Sequence, residues 1–141
     1  MKVLAAAILA AALMAGADLS AVKAEPNLEK RSEKALVYAG ELLTAMRAEL
    51  DRNDVEKIAE QLKEFGQAID LSVDSLKATG KNARRSPKHF KRAELRMREL
   101  QRRLETFRRD MSLEDRPILD GVTEHVAKRI DELVEATLRG S

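Results

Sequence analysis

Cysteine and tryptophan are absent from the 141 residues, and only one tyrosine and three phenylalanines are present. Without cysteine there is no disulfide framework, thiolate metal site, lipid-attachment cysteine or haem-attachment motif, so stability has to come from packing. With aromatics at 3%, the chain lacks the interleaved rings on which proteins stack single-stranded nucleic acid, and nucleic acid is not the expected partner. Three prolines leave few breaks in a chain dominated by Ala, Leu, Glu, Lys and Arg, the composition of long helices.

Long apolar runs are also scarce. The longest extends from Val3 to Ala17, behind Lys2 and ahead of a polar stretch ending in Val22-Lys23-Ala24. That order describes a secretory signal peptide over residues 1–24, because a membrane span needs about 20 apolar residues. Cleavage is expected after Ala24, with Ala15-Gly16-Ala17 as an alternative cut. The rest, residues 25–141, has the length of one domain with no further span, and its expected location is periplasmic or secreted.

Four segments of this domain repeat apolar residues every three or four positions, the seam that aligned helices bury. The first, from Asn27 to Leu50, carries Leu36, Ala39, Leu43 and Met46. The second runs from Asp54 to Thr79 with Ile58, Leu62, Phe65 and Ile69, interrupted by Ser72. The third, Pro87 to Met111, is the most regular, with Phe90, Ala93, Met97, Leu100, Leu104 and Phe107. The fourth, Arg116 to Leu138, carries Leu119, Val122, Val126, Ile130 and Leu133. Asn53 or Asp54 can cap the second helix, Gly80 suits a left-handed C-terminus, and Ser86-Pro87 reads as an N-cap followed by the helical position that tolerates proline. These signals predict an all-α fold, an antiparallel up-down-up-down four-helix bundle. Two long helical hairpins that complete a core by dimerising, giving a homodimer, are the alternative.

No motif signals catalysis. His89 and His125 form no Glu-x-x-His or His-x-x-x-His pair, and there is neither a nucleophile elbow nor a glycine-rich phosphate loop. No cofactor or metal is expected, and His125, next to Val126, reads as a half-buried hydrogen-bonded ring.

Charge carries the functional signal. Residues 81–109 hold 12 Lys and Arg against three Glu, whereas the segments before and after are acidic. No acid falls between Asp74 and Glu94, and cations at a helix N-terminus oppose the macrodipole. The candidate anion- or partner-binding residues are therefore Arg84, Arg85, Ser86, Lys88, Lys91, Arg92, Leu95 and Arg102. Leu95 is an outward apolar residue seven positions from both Lys88 and Arg102. Glu94 with Arg98, Glu99 with Arg103 and Glu105 with Arg109 are spaced for intrahelical pairs. Acids at the shared end of the bundle, among them Glu29, Glu33 and Glu132, could also neutralise the cluster. The expected function is a non-enzymatic binding module whose basic third helix meets an anionic protein, an envelope polymer or a lipid headgroup. The alternatives are a self-assembling structural protein and, less favoured, an envelope enzyme without a recognisable motif.

Overall fold

A computed structural model describes residues 19–140. The expected all-α bundle forms from four helices: α1 (Leu28–Asp51), α2 (Val55–Ala78), α3 (Lys88–Asp110) and α4 (Asp120–Arg139). A single 3-10 turn, Arg116–Leu119, leads into α4, so the segment expected to begin as one helix at Arg116 starts in two steps.

The helix ends follow local chemistry. Asn27 accepts the Lys30 N–H at 3.0 Å and Asp54 accepts the Lys57 N–H at 3.1 Å, each satisfying an amide that the first turn leaves unpaired. Between these helices Asn53 takes a positive φ of 59°, a conformation that asparagine tolerates better than most residues. Gly80 follows α2 with φ 69°, as its place in the sequence suggested. Ser86, however, is not the N-cap of α3. Pro87 occupies that position, and its carbonyl accepts from the Lys91 N–H at 2.8 Å. The preceding amides are taken by Asn82, whose Oδ1 accepts from Arg84 N–H at 2.9 Å and Arg85 N–H at 3.2 Å. Two and three residues before these donors, Asn82 closes a compact side-chain turn of its own ahead of the helix.

Two antiparallel hairpins lie side by side. Within the first, Ser32 meets Ser72 at 2.8 Å and Tyr38 donates to Glu64 at 2.6 Å, which fixes the register of α1 against α2. The Ser32–Ser72 bond also answers the polar break in the second seam, since two buried hydroxyls satisfy each other. The second hairpin turns through residues 111–119, with Arg108 reaching Asp120 at 3.6 Å. Across the hairpins, Glu33 pairs with Arg92 and Arg47 with Asp110, so α1 and α3 are parallel neighbours. Asp70 with His125 and Lys77 with Glu132 make α2 and α4 a second parallel pair. The starts of α1 and α3 and the finishes of α2 and α4 thus share one end.

The core is continuous, and Phe65, Met46, Ile58, Ile69, Met97, Leu100, Leu104 and Val126 are among its fully buried side chains. It also takes in Leu19 and Val22, from a helical stretch at residues 19–24 that precedes α1. Most of the expected signal peptide, residues 1–18, lies outside the described residues. Glu25 then ties this stretch to α1. Its carboxylate is held below the usual range first by the Lys34 ammonium at 2.6 Å and then by the Asn27 N–H. Among the described residues no helix is long and apolar enough to cross a membrane.

Candidate anion-binding surface

The shared end sorts its cations into two groups. Lys81 meets Glu29 at 3.1 Å, Arg92 meets Glu33 at 2.8 Å and Lys77 meets Glu132 at 3.1 Å. Glu29 also accepts His89, at 3.0 Å. Glu25 and Glu135 are occupied elsewhere, by Lys34 and Arg139. The expected internal neutralisation therefore reaches Lys77, Lys81 and Arg92 and stops there. Arg84, Arg85, Lys88 and Lys91 are exposed, and among the described residues none has a carboxylate partner.

The strip continues along α3. Leu95 is 64% exposed, as its position on the outer face suggested, whereas Leu100 and Leu104 are buried. Arg102 is exposed, and its side chain has no partner among the described residues. It stands 14 residues beyond Lys88, about 21 Å along the helix at 1.5 Å per residue. Arg84 to Lys91 thus form one cluster around the start of α3, and Arg102 is a separate position further along the same helix. Ser86 is exposed, with its backbone N–H donating to the Asn82 carbonyl at 2.8 Å.

Arg102 also stands at the edge of a groove of about 690 Å³ between α1 and α3, which sequence reasoning did not find. Arg47, Arg96, Arg102 and Arg103 line it against a single acid, Glu99, with Thr44, Thr106 and Phe107 between them. Arg103 was expected to pair with Glu99 four residues earlier. Instead its Nη2 crosses to α1, donating to the Gly40 carbonyl at 3.2 Å and Thr44 Oγ1 at 3.1 Å, and Glu99 takes Arg96 at 3.0 Å. Gly40 eases this crossing, because a Cβ there would lie 3.2 Å from Arg103 Nη1 and the guanidinium would have to give by a few tenths of an ångström. The signal available in the sequence was a glycine in the interior of α1, where it costs helix stability. Arg47 lies 5.3 Å from the centre of the Phe107 ring and 2.6 Å from Asp110.

On the opposite side, His125 is half-buried and meets Asp70 at 2.6 Å, while Arg129 gathers Asp70, Asp74 and Glu132. The bonds to Asp70 and Asp74 tie α4 to α2, that to Glu132 lies within α4, and the charges compensate one another. Among the described residues no cluster of three His, Asp or Glu is placed to hold a metal. The chain matches no protein-family model, no curated protein and no solved structure.

Proposed function

We propose that this domain is a non-enzymatic binding module, exported to the periplasm or secreted, whose partner is a polyanion lying along α3. The carrying observation is the division at the shared end: neighbouring cations are neutralised by Glu29, Glu33 and Glu132, whereas Arg84, Arg85, Lys88 and Lys91 have no acid among the described residues. Four uncompensated cations beside a helix N-terminus repel one another and oppose the macrodipole, so the fold gains nothing from them. An external anion reverses that cost.

The spacing supports a partner with several charges rather than one small ion, since Lys88 and Arg102 are about 21 Å apart. Leu95 stands exposed between them and offers an apolar contact within the cationic strip. Tyr38, Phe65, Phe90 and Phe107 are all buried, which leaves no phenylalanine or tyrosine ring among the described residues for base stacking and favours an acidic polypeptide or envelope polymer. Amide chemical-shift mapping with poly-L-glutamate tests the reading. Perturbations should concentrate on residues 84–102; a response centred on α2 and α4 would overturn it.

A further inference from the structure

We propose that the groove between α1 and α3 is a discrete recognition site for one multiply charged carboxylate or phosphate group, gripped by Arg103, Arg47 and Arg102. This rests on the anion-binding reading above but adds to it a defined pocket with fixed donors. A basic strip attracts any polyanion. A pocket selects a group by shape.

Three features make the groove a built site rather than a gap between helices. First, Arg103 is oriented before any ligand arrives. The Gly40 carbonyl and Thr44 Oγ1 hold Nη2, and the missing side chain at Gly40 leaves room for Nη1. Second, Arg47 is held over the Phe107 ring and paired through Nη1 with Asp110, so a second guanidinium, partly neutralised, is fixed on the facing helix and contributes its geometry more than its charge. Third, Arg102 borders the same space with no acid of its own among the described residues, where the one lining carboxylate, Glu99, is occupied by Arg96.

Guanidinium forks match the paired oxygens of carboxylates and phosphates, and donors ordered in advance lose less freedom on binding. The volume of about 690 Å³ lies within the range of about 300–1,000 Å³ typical of small-molecule sites, so the groove accommodates a compact group rather than a length of polymer. A side group or terminus of the polyanion on α3 would reach it past Arg102.

Calorimetric titration of the full chain at low salt with citrate and with inorganic tripolyphosphate tests the site and separates the two chemistries. At least one should bind the wild type with one-to-one stoichiometry. Arg103→Lys keeps the charge but loses the fork, and should weaken binding by about tenfold or more. Thr44→Val, which removes only a hydroxyl from the Arg103 cradle, should weaken it in the same direction and serves if the arginine variant does not fold. The double variant Lys63→Ala, Lys128→Ala removes exposed charge from α2 and α4 and should bind like the wild type. Failure of both anions to bind, or unchanged affinity in Arg103→Lys and Thr44→Val, would overturn the groove site. Poly-L-glutamate mapping to residues 84–102 would still stand in that case. Loss of that mapping with citrate binding intact would remove the strip and leave the groove.

Discussion

Arg92 Nη1 lies 2.8 Å from Glu33 Oε1 across the α1–α3 interface, while Lys88, one turn earlier on α3, meets no carboxylate among the described residues. Two cations of similar exposure therefore have different roles. Arg92→Ala should cost at most about 1 kcal/mol, the range of an exposed ion pair. Lys88→Ala together with Lys91→Ala should leave stability unchanged or raise it by up to about 1 kcal/mol, because no partner is lost and two cations that oppose the helix macrodipole are removed. Urea denaturation of the two variants measures both, and a loss at Lys88 and Lys91 larger than at Arg92 would show that the strip serves the fold.

Packing of α3 gives a sharper contrast. Leu100→Ala and Leu104→Ala should each destabilise by about 2 to 5 kcal/mol, since both side chains are buried in the seam. Leu95→Ala, at 64% exposure, should stay within about 0.5 kcal/mol of the wild type. Equal losses at Leu95 and Leu100 would contradict the assignment of the buried face.

The stretch before α1 yields a test of its own. Leu19 and Val22 are 8% and 7% exposed, and burial of such side chains contributes about 1.5 to 3 kcal/mol each. A chain beginning at Glu25 should therefore be measurably less stable to urea than one beginning at Asp18. A leader cut after Ala17 would keep both residues, so if the chain is exported as proposed, the intact mass of the processed protein should correspond to a start at Asp18. Equal stability of the two chains would show that residues 19–24 contribute nothing to the core.

Glycines in two helices should respond oppositely to alanine. A Cβ at Gly66 would make an ordinary 3.9 Å contact with Val122, so Gly66→Ala should stabilise α2 by about 0.5 to 1 kcal/mol. At Gly40 the added carbon meets the Arg103 guanidinium at 3.2 Å, and the helix gain is offset by displacement of that side chain. Thermal melts of the two variants distinguish these outcomes, and equal gains would mean that Arg103 yields freely.

Periodicity made the helices and their inward faces legible. Phe90, Met97, Leu100 and Leu104 are buried where a repeat of three and four residues placed them, and Asn27, Asp54 and Gly80 mark ends that follow backbone chemistry. The same repeat does not say which helix lies beside which, because an inward face has the same pattern against any neighbour. The parallel contact of α1 with α3, and with it the arginine groove, could not be read for that reason. Arg103 had an acid at helical spacing and a carbonyl across the interface at Gly40, and only the folded chain decides between them. Ser86 misled because the helix starts one residue later than its cap signal implied: Pro87, which has no capping side chain, takes the N-cap position. The exposed cations were visible in the sequence as a run without acids, but their division into paired and unpaired depended on the reach of Glu29 and Glu33.

The most direct test of the anion-binding account is the affinity of the wild type and of the variant Arg84→Glu, Arg85→Glu, Lys88→Glu, Lys91→Glu for poly-L-glutamate, measured across a salt series with helicity followed in parallel. The account predicts an intact fold in both, binding by the wild type that weakens steeply as salt approaches physiological strength, where charges are screened beyond about 8 Å, and no binding by the variant. Wild-type protein that ignores the polyanion at low salt, or a variant that binds it as tightly as the wild type, would contradict the account.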